Sequence, residues 1–116
     1  MQSYSTRTGR PADFAVTYRL YEREEGGRIN PPHQHIRWDF LYHGSDPLTD
    51  GINMVWPEFV SETADMLSDG VMPRDGTALM FIVDPEQFEF HRARIKIGVR
   101  GYFVEGSHQV GECTVS

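Results

Sequence analysis

The sequence predicts an all-β fold, a small closed six-stranded antiparallel β-barrel with Greek-key connections. Three observations support this prediction. Short segments alternate apolar with polar residues, Gly and Pro turns recur between them, and the strands do not alternate with long helices. An open sheet would leave unpaired backbone groups along two edges, and closure into a barrel removes them. The pattern also permits one short helix near residues 58–68.

The strands of the first half are indicated by alternation and by turn residues. In residues 14–22, one face of the predicted strand carries Phe14, Val16, Tyr18 and Leu20. Residues 36–43 and 51–56 predict the second and third strands. Residues 57–70 have apolar side chains at helical spacing, with Pro57 near the start and Gly70 past the end, so a helix is predicted there.

The second half contains three further predicted strands. Residues 77–84 form an apolar segment rich in β-branched and aromatic residues. Residues 92–106 contain apolar side chains that alternate with a basic stripe of Arg92, Arg94, Lys96 and Arg100. That stripe is either a solvated strand face or a surface that contacts phosphate. The last strand covers residues 108–115, in which the single cysteine, Cys113, is interpreted as a small strand residue rather than a nucleophile.

Length and charge restrict the classes of function. The 116 residues suffice for one domain, with a flexible N-terminal tail over residues 1–12 and the barrel over residues 13–116. The net charge of −6 argues against a general nucleic-acid binder. The chain has no signal peptide and no apolar run near the roughly 18 residues of a spanning helix. We therefore expect a cytoplasmic protein without a membrane partner.

A metal site is one interpretation of the segment "GGRINPPHQHIRWDF". Gly27, His33, His35 and Asp39 have a spacing that resembles the first motif of the cupin family. Two histidines two positions apart on a strand point to one side and can share a metal ion with a carboxylate. The family has Glu where this chain has Asp39, and its second motif has no match. The alternative function is thus a cupin-like metal-binding barrel, and the other interpretation places both histidines in a loop after Pro31 and Pro32.

A second resemblance covers nearly all of residues 13–116. The segments "YEREEGGRINPPHQHIRWDFLYH", "GINMVWP", "MPRDGTALMFIV" and "IKIGVRGYFVEGSHQVGECTV" resemble, in the same order, parts of the third domain of elongation factor Tu. That domain is a six-stranded antiparallel barrel that catalyses nothing. It binds the GTPase domain, the nucleotide exchange factor and the T-stem of aminoacyl-tRNA.

The resemblance implies a non-enzymatic binding module without a cofactor. A protein partner is expected first, including a translation-related protein such as a separately encoded GTPase, and a tRNA-like RNA second. No GTP is expected, because the chain lacks a Gly-x-x-x-x-Gly-Lys-Ser/Thr phosphate loop. Trp38 and Trp56 suit a protein interface, a base-stacking platform or the barrel interior.

The same resemblance assigns partner-binding positions. They are Arg37, Asp39, Glu105, Gly106, Ser107 and His108. Asp39 stands where the family has Gln, and His108 stands where it has Arg. Both changes disfavour a phosphate backbone, as does the net charge of −6. The basic stripe would compensate for these changes if it contacts phosphate rather than forming a solvated strand face.

Overall fold

The computed structural model describes residues 2–45, 53–106 and 108–116, which are mostly β. Six antiparallel strands form one curled sheet, a half-barrel, in the order β2-β5-β6-β1-β4-β3. The strands are β1 Phe14–Leu20, β2 Asp39–Tyr42, β3 Val55–Val60, β4 Asp75–Ile82, β5 Arg100–Glu105 and β6 His108–Val115. Two short helices are α1 Tyr4–Thr8 and α2 Phe88–Arg92. None of the helices in the described residues is long and apolar enough to span a membrane.

Strand β1 is central and has the predicted alternation. Its burial alternates along the strand, so the apolar face of the sequence pattern is confirmed. The strand is paired on both sides, with Val16 opposite Ala78 of β4 and opposite Val115 of β6. Residues on this face enter the core that fills the concave side of the sheet. Burial of apolar side chains in such a core is the main favourable contribution to the free energy of folding.

Aromatic rings form the centre of the core. Phe40, Phe59 and Phe103 are fully buried, and the Tyr18 ring meets the Phe59 ring edge-on at 5.2 Å between centroids. Gly101, which pairs with Tyr42 of β2, must be glycine, because a Cβ atom there would lie 2.3 Å from the Phe40 ring. This close approach explains a glycine in the interior of β5, where it otherwise weakens a strand.

The two edge strands of the sheet, β2 and β3, are not joined by a ladder in the described residues. One pair of hydrogen bonds links them indirectly, from Phe40 N to Asn53 O at 2.9 Å and from Asn53 N to Phe40 O at 3.1 Å. The sheet is therefore curled but not closed, and the closed barrel that the sequence predicts is seen only as a half-barrel.

The free edge of β3 is protected by a buried side chain. Gln34 is 1% exposed, and its amide nitrogen donates to Phe59 O at 2.7 Å and to Leu67 O at 3.1 Å. Its amide oxygen accepts from Phe59 N at 2.8 Å and from His35 N at 3.3 Å. Pro57, two residues before Phe59, has no N–H to leave unpaired on that edge. Gln34 thus replaces a neighbouring strand at this position.

The helix predicted near residues 58–68 is wrong. Phe59 and Val60 belong to β3 and pair with Ala78 and Thr77 of β4. A turn follows, in which Ala64 has a φ of 65° and the Ser61 hydroxyl bonds to backbone N–H groups. Burial in the sheet outweighs the helical spacing of these residues. Strand β3 also begins later than the predicted strand over 51–56, of which residues 51 and 52 lie outside the described residues.

The strand predicted from residue 92 is also wrong before Arg100. Helix α2 precedes a loop that turns at Gly98, whose φ is 91°. His91 anchors the helix, since it is 1% exposed and its Nδ1 lies 2.6 Å from the Tyr42 hydroxyl. Ile97, expected in the core, is 86% exposed. The basic residues Arg92, Arg94, Lys96 and Arg100 are exposed on the helix end, the loop and the first residue of β5, not along one strand face.

The segment expected to be a flexible tail contains helix α1. Ser3 caps the helix by accepting a hydrogen bond from Thr6 N at 3.1 Å. Tyr4 is 6% exposed and packs edge-on against Phe81 on the convex side of the sheet, at 5.4 Å between ring centroids. The composition of residues 1–12 does not predict that the Tyr4 side chain is buried.

We predict that Gln34→Leu destabilises the fold by about 3 kcal/mol, because Phe59 N and Leu67 O lose their partners and each buried unsatisfied group costs about 1–3 kcal/mol. Urea denaturation measures the free energy of unfolding. Gln109→Leu is the matched control on an exposed position of β6. Equal stability of the Gln34 variant and the control would contradict this role for the amide.

We predict that stability falls as the pH drops through about 6.5, the ordinary pKa of histidine. Burial lowers the pKa of His91, Arg94 lowers it further, and Asp13 opposes both. The folded state therefore binds fewer protons than the unfolded chain below that pH, which favours unfolding. His91→Phe should reduce the slope of unfolding free energy between pH 7.5 and 5.5, whereas Gln109→Leu, at an exposed position without a titratable group, should not. An unchanged slope in His91→Phe would refute the assignment.

Candidate partner-binding site

The turn after β1 brings the start of the 24–40 segment back beside the sheet. A 3-10 turn over Arg23–Glu25 is closed by a capping box between Glu22 and Glu25. Gly27 must be glycine, since a Cβ atom would lie 2.1 Å from Tyr21 O. A hydrogen bond from Arg19, helped by the backbone N–H of Glu22, lowers the pKa of Glu25 to about 2. The turn is therefore fixed by charge pairing at the surface of β1.

The β5–β6 hairpin end packs against this turn. The Trp38 indole N–H donates to Glu105 Oε1 at 3.0 Å, and Arg28 Nη1 lies 3.2 Å from the same oxygen. His108 Nε2 bonds to the carbonyl oxygen of Gly26. Gly106, with a φ of 63°, makes the reversal, and Ser107 lies outside the described residues. Glu105 and His108 thus join the hairpin to the 24–40 segment.

A groove of about 170 Å³ opens beside this junction. Its lining includes the buried residues Leu20, Trp38, Met72 and Val110. The lining also includes two of the most exposed aliphatic side chains in the described residues, Ile29 at 74% and Val71 at 72% exposed. We call this feature the Ile29–Val71 groove.

Two arginines also line the Ile29–Val71 groove. Arg74 pairs with Glu22 at 3.3 Å on the surface. Arg28 is near Glu105, but its Nη1 is buried and lacks a hydrogen bond of good geometry in the described residues. A buried guanidinium N–H that is only loosely paired favours an additional acceptor.

The three residues of the metal interpretation are engaged separately. His33 is exposed and its Nδ1 lies 2.9 Å from Gln34 O. His35 Nε2 lies 2.8 Å from Glu58 Oε1, and its ring stacks on Tyr4 at 4.0 Å. Within the described ranges, no three His, Cys, Asp or Glu side chains form a group that could hold a metal ion. The structure therefore does not assemble the cupin-like site.

Glu58 is a central residue that the sequence analysis missed. It lies on the convex face of β3, is 2% exposed, and accepts a hydrogen bond from Tyr4 N at 2.8 Å as well as contacting His35. His35 reaches it from a strained backbone, with a φ of 60°. A carboxylate buried in this way requires such partners. The contacts tie helix α1 to β3 and to the loop before β2.

Arg37 and Asp39, the remaining positions given by resemblance, both contact Trp56. The Arg37 guanidinium lies 5.0 Å from the centroid of the Trp56 ring. Burial raises the pKa of Asp39, and a hydrogen bond from Trp56 opposes that effect. Arg37 and Asp39 therefore both lie beside the Trp56 side chain.

The basic residues of the 92–100 segment and Cys113 have distinct environments. Arg94 stacks on the Phe90 ring at 3.6 Å and donates to Phe90 O at 2.8 Å. Burial raises the pKa of the Cys113 thiol well above its ordinary value. The thiol is therefore protonated inside β6, which fits a strand residue and opposes nucleophilic chemistry.

Comparison with models of known protein families and with curated protein sequences finds no match to this chain.

We predict that Glu58→Ala releases helix α1, because Tyr4 N and His35 lose their shared acceptor. Removing one partner of a buried polar pair should cost about 3 kcal/mol. Hydrogen exchange should show a faster-exchanging Tyr4 amide, and trypsin should cleave sooner at Arg7. Glu62→Ala, at an exposed position, serves as the control. Unchanged protection of the Tyr4 amide would exclude Glu58 as the anchor.

Proposed function

We propose that this chain is a non-enzymatic binding module that binds a protein partner through the Ile29–Val71 groove. The observation that carries the proposal is the pair of exposed aliphatic side chains, 74% and 72% exposed, lining a groove with buried Trp38. Exposed aliphatic side chains beside a concave surface are typical of protein interaction sites.

The groove supports a partner of defined chemistry. Its apolar lining fits a branched aliphatic or aromatic side chain of the partner. The exposed guanidinium of Arg74, which also lines the groove, fits a carboxylate beside that side chain. The occupant is thus a protein segment with an apolar anchor next to Asp, Glu or a chain terminus. The acids Glu22 and Glu105, which already face the two arginines, disfavour a polyphosphate backbone at the same surface.

The non-enzymatic part of the proposal rests on how the polar groups are used. Glu58 is engaged with Tyr4 and His35, and His91 with Tyr42. In these contacts, hydrogen bonds within the fold occupy the Glu58 carboxylate and His91 Nδ1. The resemblance to the third domain of elongation factor Tu supports a translation-related partner, such as a separately encoded GTPase domain. It also supports closure of the sheet into a barrel, which the Phe40–Asn53 hydrogen bonds would begin.

We predict that Ile29→Ser combined with Val71→Ser abolishes binding of the partner and changes stability little, because both side chains are exposed. Quantitative cross-linking and capture from lysate would compare this variant with the wild type. A purified elongation-factor GTPase domain is the direct candidate for titration.

The matched control is Ile97→Ser, which removes an 86% exposed isoleucine elsewhere on the surface. Support requires a protein held by the wild type and by the control, and lost from the double variant. A set of captured proteins that is the same for all three would contradict the proposal.

A further inference from the structure

A second concave surface lies where helix α1 meets the convex side of the sheet. It is a cavity of about 250 Å³, lined by residues that include Tyr4, Arg7, Arg10, Trp56 and Phe81. It shares no lining residue with the Ile29–Val71 groove. We call it the Trp56 cavity.

The aromatic wall of the Trp56 cavity is held in place from several sides. Trp56 is half-buried, and the Arg37 guanidinium lies 5.0 Å from the centroid of its ring. The Tyr4 ring lies 6.3 Å from the Trp56 ring and is held by its stack on His35. A fixed, partly exposed indole is a stacking surface that needs little ordering on binding.

Positive charge lines the same cavity. Residues 2–12 contain Arg7 and Arg10 and no acidic residue. Arg10 is fixed by Asp13 at 2.8 Å and by Ile82 O at 2.7 Å. Arg7 is exposed and makes no ion pair with an acid in the part of the chain that the structure describes. Its guanidinium lies 5.9 Å from the Tyr4 ring, so it is available at the rim.

We propose that the Trp56 cavity binds a 5′-phosphorylated nucleotide, with the base on Trp56 and the phosphate at Arg7. An aromatic ring that carries an anionic group matches a cavity with an indole wall and a free guanidinium. The volume of about 250 Å³ is below the roughly 300–1,000 Å³ typical of drug-sized ligands. The cavity therefore takes one base and leaves the sugar and phosphate at the rim. A free nucleotide and the phosphorylated end of a single strand share this chemistry.

The two tryptophans make the test direct. Trp38 is 1% exposed, whereas Trp56 is half-buried, so quenching of tryptophan fluorescence by a base reports on Trp56. The full chain would be titrated at low ionic strength with adenosine 5′-monophosphate and with a 5′-phosphorylated tetradeoxyadenylate. Quenching is expected with at least one of them. Quenching by both assigns a free nucleotide, and quenching by the oligonucleotide alone assigns a strand end.

Substitutions distinguish nucleotide binding in the Trp56 cavity from nonspecific electrostatic binding. Arg7→Gln should weaken binding about tenfold, the loss expected for one charge-assisted contact. Arg23→Gln, an exposed arginine on the turn after β1, should leave the affinity unchanged. Trp56→Phe should remove the quenching, with equilibrium dialysis reporting the affinity and circular dichroism the fold.

Three results would overturn the proposal: no quenching by either probe at millimolar concentration, equal losses in Arg7→Gln and Arg23→Gln, or unchanged quenching in Trp56→Phe. The combined Ile29→Ser and Val71→Ser variant should retain nucleotide affinity, because its substitutions lie in the other groove. Failure of the nucleotide site is therefore distinguishable from failure of protein binding.

Discussion

The buried amide of Gln34 is the interaction on which the rest of this structure depends. It binds the edge of β3 through both the N–H and the carbonyl of Phe59, and so fixes the loop that leads into β2. From that fixed loop, His35 reaches Glu58 on the convex face, and Trp38 lies beneath the Ile29–Val71 groove. One side chain thereby positions both concave surfaces. A curled sheet with an unprotected edge would invite pairing with another chain, and Gln34 reduces that hazard.

Buried polar side chains fix the arrangement of distant segments through hydrogen bonds. Glu58 joins three segments that are distant in sequence, through Tyr4 and His35, and His91 joins α2 to β2 through Tyr42. Each of these buried hydrogen bonds restricts alternative arrangements, because breaking it leaves a polar group without a partner. Two concave surfaces of the molecule differ in character: the Ile29–Val71 groove is apolar, and the Trp56 cavity is aromatic and lined by arginines. The two proposed binding sites rest on this difference in character.

A strand is correctly predicted from the sequence where the residue pattern fits a strand and does not fit a helix. Alternation over Phe14–Leu20 identifies β1, because a period of two is incompatible with a helix. Phe59 and Val60 fit both a strand and a helix, and only pairing with β4 decides between them. Residues 92–99 alternate as well, yet Gly98 and the anchoring of His91 by Tyr42 make them a helix end and a loop. The periodicity of neighbouring residues carries no information about the contact between His91 and Tyr42, which lie 49 positions apart.

Fewer features of the candidate site than of the strands could be predicted from the sequence. Arg37, Asp39, Glu105 and His108 were marked by resemblance, and the structure shows which aromatic or backbone group each one contacts. Gln34 and Glu58 carry no sequence signal, since their partners lie up to 54 positions away. The exposure of Ile29 and Val71 is likewise invisible, because an apolar residue in a loop is normally read as buried.

Amide-resolved hydrogen exchange of the wild-type protein tests the central role of Gln34 most directly. The Phe59 N–H lies on the free edge of β3 and bonds to a side chain rather than to a strand. We expect the Phe59 amide to exchange as slowly as amides of β1, which is paired on both sides. Exchange of the Phe59 amide as fast as that of the exposed Glu62 would contradict the account, because the edge of β3 would then be open.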